Sequence, residues 1–115
     1  MADLKYIHND EARKNWTKMP ITMQMGSIGS EVSRSLKWIE KGNKARANSA
    51  IDRALELFDF TIEANLKNHA RLTEILKARE EFCDYFFNHN SYYTDPIKMQ
   101  KYYDGFVMME RLSSC

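Results

Sequence analysis

Proline and glycine are scarce, two and four in 115 residues, so few points force regular backbone to stop and long uninterrupted elements are expected. Cysteine is equally scarce. Cys83 falls inside a predicted helix and Cys115 is the last residue, so no stabilising disulfide is expected, a thiolate metal site is excluded, and Cys83 reads as a small buried hydrophobe. No apolar run approaches the ~18 residues that a membrane-spanning helix needs. The first sixteen residues, "MADLKYIHNDEARKNW", lack the apolar stretch of a secretion signal, and a cytoplasmic location is expected. Net charge is only +1, which points to neither nucleic acid nor membrane, although its sign is uneven. Through Ala50 there are nine Lys/Arg against five Asp/Glu, and in the remainder eight against eleven. That imbalance predicts helices that complement one another electrostatically.

What is present is helical patterning. Hydrophobic residues make up 43% of the chain and charged residues 29%, the balance of an ordinary globular domain with room for one core. In "GSIGSEVSRSLKWIEKGN", Ser27 or Ser30 is expected to cap a helix start and Gly42 to end the helix in the left-handed conformation. Between them Met25, Ile28, Val32, Leu36 and Ile39 recur at steps of three and four. Asn43 then caps a second helix whose apolar face is Ala47, Ala50, Ile51, Ala54, Leu55, Phe58 and Ile62. A third helix, from about Asn68 to Asn88, has the stripe Leu72, Ile75, Leu76, Arg79, Phe82, Cys83 and Phe86. Asp95 followed by Pro96 is a start signal, cap first and proline at the first helical position. It opens a fourth helix with Met99, Tyr102, Tyr103, Phe106, Met109 and Leu112 on one face. Asn9 or Asp10 is expected to start a short helix through Trp16, with "TKMPITMQM" as a linker.

No two-residue alternation lasts long enough for a strand. The expected fold is therefore all-α, an antiparallel up-down four-helix bundle over residues 25–115, preceded by a short helical arm and linker over 1–24. The chemistry that such a bundle often carries is missing. The residues three before His8, His69 and His89 are Lys5, Leu66 and Phe86, so the Glu-x-x-His spacing of a di-metal carboxylate centre does not occur. A phosphate-binding glycine loop with its lysine, a haem-attachment motif and a nucleophile elbow are also absent. No cofactor, metal or catalytic residue is expected.

With its bundle pattern, its small size and the aromatic "DYFFNHNSYY" after the third helix, the chain resembles the HEPN group of helical-bundle proteins over about residues 25 to 112. That group includes ribonucleases and companion subunits of minimal nucleotidyltransferases, commonly dimeric. Its nuclease signature, an Arg followed after four to six residues by a His, is not met: Phe82, Cys83 and Asp84 stand where His89 would require the arginine, and Ile62, Glu63 and Ala64 where His69 would. The resemblance thus implies a non-catalytic branch. "KWIEKGNKARANSAIDRALELFDF" also resembles part of a tetratricopeptide repeat through Trp38, Gly42, Ala54 and Phe58. The matching positions 34 residues on are Leu72, Leu76, Asn88 and Tyr92, so no second copy exists to stack on it.

Three groups of residues are candidates for function. Arg79 sits within an apolar row, where a guanidinium requires a carboxylate with good geometry; Glu31, Glu56 and Asp59 are the expected partners, with Arg53 in the same network. His89, Tyr92 and Tyr93 fall in a loop, where a binding role competes with simple capping and packing. Lys37, Lys41, Lys44 and Arg46 form a basic patch around the first helical turn. The function expected is that of a non-enzymatic interaction protein, self-associating through an apolar helix face and companion to a nucleotidyltransferase-like enzyme. The alternative is binding of nucleic acid or a phosphorylated ligand through the basic patch.

Overall fold

Pro20 sets where the first long helix begins. It stands in extended backbone at φ −64° and ψ 154°, and its carbonyl accepts from the amides of Met23 at 3.0 Å and Gln24 at 3.1 Å. The computed structural model describes residues 10–114. Five helices run in order as α1 (Asp10–Trp16), α2 (Ile21–Glu40), α3 (Lys44–Ala64), α4 (His69–Phe87) and α5 (Pro96–Ser114). There is no strand among the described residues, so the fold is all-α. No helix among them is long and apolar enough to cross a membrane.

Local chemistry accounts for most of the boundaries. Gly42 closes α2 at φ +74°, a conformation glycine adopts without steric cost. The side chain of Asn43 accepts from the amide of Arg46 at 3.0 Å and that of Asn68 from Arg71 at 3.1 Å, capping α3 and α4. Asp95 Oδ1 accepts from the amide of Ile97 at 2.9 Å, immediately ahead of proline at the first position of α5.

Two expectations are corrected. The "GSIGS" stretch lies inside α2 and caps nothing, because Pro20 starts the helix earlier. Its glycines serve packing instead. A Cβ on Gly29 would lie 2.4 Å from Cβ of Tyr103, and one on Gly26 would lie 3.2 Å from Cγ2 of Val107, so bare backbone lets α5 approach α2 closely. Residues 21–25, the end of the expected "TKMPITMQM" linker, are instead the start of α2, and α1 packs on α3. Trp16 is buried, its Nε1 donates to Thr61 Oγ1 at 2.9 Å, and Gln24 Nε2 donates to the Trp16 carbonyl at 2.8 Å. Asn65 Nδ2 completes the chain by donating to Gln24 Oε1 at 3.0 Å and to the Thr61 carbonyl at 2.7 Å. These buried bonds tie α1, α2 and α3 together, since each buried polar group needs its partner. Asn9, the rest of the arm before it and Cys115 lie outside the described residues.

The core is formed where α2 packs against both α3 and α5 and where α4 meets α3. Met25, Ile28 and Val32 of α2, Ala54 and Phe58 of α3, Ile75 and Phe82 of α4, and Met99 and Tyr103 of α5 are all nearly or fully excluded from solvent. The rings of Phe58 and Phe82 lie 5.6 Å apart at 54°, and those of Phe82 and Phe86 4.8 Å apart at 53°. Tilted aromatic pairs of this kind add ~1 kcal/mol each beyond their burial. The side on which α4 faces α5 is less closely filled, and a groove lies there.

Candidate functional site

The loop between α4 and α5 builds one wall of that groove. His89, Asn90 and Tyr93 all take left-handed backbone, at φ 55°, 53° and 54°, which is costly for residues with a Cβ and most of all for a bulky ring. Asp84, buried near the end of α4, holds the loop in place. Its Oδ1 accepts from Asn88 Nδ2 at 3.1 Å and from the hydroxyl of Ser91, its Oδ2 accepts from the amide of Tyr92 at 3.0 Å, and its own carbonyl accepts from the amide of Asn90 at 3.0 Å. Desolvation would push the Asp84 carboxyl up, but these donors outweigh it and hold it below the ordinary aspartate range. Asn90 then closes the loop by donating to the Thr94 carbonyl at 2.9 Å and accepting from the Thr94 amide at 2.7 Å.

The result is a groove of about 750 Å³ floored by Ala78 and Met99. Tyr92, Tyr93 and Tyr102 line it, with Glu74 and Glu81 from α4 and Asp95 from the loop end. The Tyr102 hydroxyl donates to Glu74 Oε1 at 2.8 Å, and that of Tyr92 donates to Glu80 Oε1 at 2.7 Å. Both phenols are pushed above the ordinary tyrosine range. For Tyr102 the cause is desolvation, then the bond to Glu74 and the charges of Glu74 and Glu81; for Tyr92 it is first the bond to Glu80. Tyr92 and Tyr93 of the loop prediction therefore reach the groove, whereas His89 is exposed and does not line it. The sequence marks none of Glu74, Glu81 and Tyr102 as a site residue, nor Asp84 as the anchor of this loop. Asn88 standing four residues after Asp84 is the only sequence signal that could have marked that anchor.

Arg79 does not sit in a dry interior. Its side chain is 38% exposed, its Nε lies 3.9 Å from Oδ1 of Asp59, and the Asp59 side chain is 51% exposed. Partial desolvation raises the Asp59 carboxyl and the Arg79 charge offsets part of that rise. A pair this open to solvent is worth at most ~1 kcal/mol. The expected network of Arg79 with Glu31 and Glu56 does not form. Glu31 is 8% exposed and pairs along its own helix with Arg34 Nη1 at 3.1 Å. Glu56 is buried, and Arg53 is half-buried. The physical reason is position: Arg79 borders the α3/α4 contact, where its stem covers apolar surface and its head reaches solvent. Cys83 is likewise only partly buried, with desolvation raising its thiol.

The basic patch gains an unexpected centre. Lys37 Nζ lies 5.5 Å, Lys41 Nζ 5.4 Å and Arg46 Cζ 4.7 Å from the centroid of the Trp38 ring, all within cation–π range. Lys44 is exposed at the first position of α3. Lys37 and Lys41 close to the end of α2 suit its dipole, but α3 carries no acidic residue in its first turn, so Lys44 and Arg46 sit against the local preference.

The outward face of α5 is a third feature. Ile97, Lys101, Gly105, Met108 and Leu112 follow one another at steps of four, four, three and four, and Ile97, Met108 and Leu112 are each more than half exposed. No group of three His, Cys, Asp or Glu is placed to hold a metal ion among the described residues. Compared with protein-family models, with curated proteins and with solved structures, the chain matches none.

Proposed function

We propose that this chain is a non-enzymatic, cytoplasmic interaction protein whose α2–α5 helices form an antiparallel up-down bundle and which self-associates through the outward face of α5, as a companion to a nucleotidyltransferase-like enzyme. The observation that carries the self-association is that α5 is apolar on two sides. Met99 and Tyr103 enter the core, while Ile97, Met108, Met109 and Leu112 stand in solvent on other sides of the same helix. Gly105, at the centre of that outward stripe, has nothing within 4 Å of its Cβ position. A bare backbone there costs about 1 kcal/mol relative to alanine. The chain uses glycine in the same way on α2, where Gly29 admits α5. An exposed apolar stripe with a small residue at its middle suits the close approach of a second helix, and a second copy of this chain supplies one with the same face.

Light scattering on a Met108→Glu, Leu112→Glu double variant tests this. The parent is expected to elute as a dimer and the variant as a folded monomer, with equal helicity by circular dichroism. Dimeric mass in both, or monomeric mass in both, contradicts the assignment.

A second reading draws on the three cations around Trp38. A tryptophan ring flanked by Lys37, Lys41 and Arg46 offers stacking for a base and charge for phosphates. Retention on single-stranded nucleic acid that falls steeply with salt, and that is lost in Trp38→Ala, would support it.

A further inference from the structure

We infer that the groove between α4 and α5 is a binding site for a small organic ammonium ion. Three observations carry this. First, the walls are aromatic: Tyr92, Tyr93 and Tyr102 surround the opening, and the hydrogen bonds of Tyr92 to Glu80 and of Tyr102 to Glu74 fix two of the rings. The face of such a ring attracts a cation within ~6 Å of its centroid.

Second, the groove holds charge that the protein does not itself neutralise. Glu81 is only partly exposed and lies next to the buried floor of Ala78 and Met99. No hydrogen bond or ion pair to its carboxylate is formed by any described residue, while its charge is felt by both Tyr102 and Tyr103. Lys77 and Lys98 also line the groove, yet neither comes within ion-pairing distance of a described carboxylate. Glu74, Glu81 and Asp95 against Lys77 and Lys98 leave the lining at −1. A partly buried carboxylate with no ion-pair partner, in a lining of net −1, is an arrangement that a bound cation improves.

Third, the Tyr93 side chain makes no hydrogen bond or ring contact with a described residue, although its amide donates to the Asn90 carbonyl at 3.0 Å. Tyr93 is 91% exposed and its backbone is left-handed, so neither its side chain nor its φ angle favours the fold. A ligand against that ring would cover it. The groove's volume of about 750 Å³ is that of a site for a small organic molecule.

Titration with benzyltrimethylammonium, followed through backbone amide and tyrosine ring shifts of the full chain, tests the site, with benzenesulfonate as the anionic control. Saturable shifts are expected at Tyr92, Tyr93, Tyr102 and residues 74–81. Affinity is expected to be roughly tenfold weaker in Glu81→Gln and weaker again when Tyr93→Ala is added. Both substitutions lie outside the core, and circular dichroism checks that each variant keeps its helices. Absence of shifts in the groove, equal binding of the sulfonate, or undiminished affinity in Glu81→Gln would overturn the inference.

Discussion

Asp84 shows how much one side chain determines. It accepts from Asn88, Ser91 and the Tyr92 amide, and through them it orders a loop in which three residues with side chains take left-handed backbone. Its folded-state carboxyl is held below the unfolded value, so the stabilisation it provides is present above the ordinary aspartate range and is lost as pH falls through the lowered one. Asp84→Asn is therefore expected to flatten part of the fall in stability below about pH 4, measured as urea midpoints across pH, while lowering the midpoint near neutrality. An unchanged acid slope would mean that the loop does not depend on this carboxylate. None of this was legible beforehand, because the donors that converge on Asp84 come from a turn whose geometry no periodicity encodes. Arg79 fails for a related reason. Its place in an apolar row was readable, but whether the long stem ends inside or at the rim is decided by the neighbouring helix, and Asp59 meets it in the open.

Among the helices, the caps of α3, α4 and α5 were readable because they depend on local chemistry: Asn43, Asn68 and Asp95 each act on an amide two or three residues on. The apolar faces of α4 and α5 were read too wide, since Leu76, Met109 and Leu112 stand in solvent. The start of α2 was not. Glycine and serine clustered in "GSIGS" carry a turn signal, yet tertiary contact overrides it, since the space a side chain would take at Gly29 is filled by Tyr103. The two glycines at helix interiors should respond in opposite directions. Gly29→Ala forces α5 away from α2 and is expected to destabilise by about 3 kcal/mol. Gly105→Ala, made in the monomeric Met108→Glu, Leu112→Glu background, is expected to stabilise by about 1 kcal/mol. Thermal or urea unfolding of both variants checks the pair, and similar effects at the two positions would contradict the assignment of Gly29 to packing and Gly105 to an open face.

For the whole molecule, the packing is uneven. α2 and α3 hold the centre with α5 laid along α2, and the buried chain from Trp16 through Gln24, Asn65 and Thr61 fastens α1 to them. α4 is attached chiefly through α3, which leaves the groove on one side, while α5 keeps an apolar stripe turned outward. The all-α class followed directly from spacing and from scarce proline and glycine. The opening between α4 and α5 did not, because stripe width on paper does not say which flank a neighbour covers. Sedimentation equilibrium of the unaltered chain across the micromolar range bears most directly on what the outward stripe is for. The molecular mass is expected to rise with concentration from 13.6 kDa toward twice that value. A mass that stays at 13.6 kDa at every concentration would show that α5 meets no second copy.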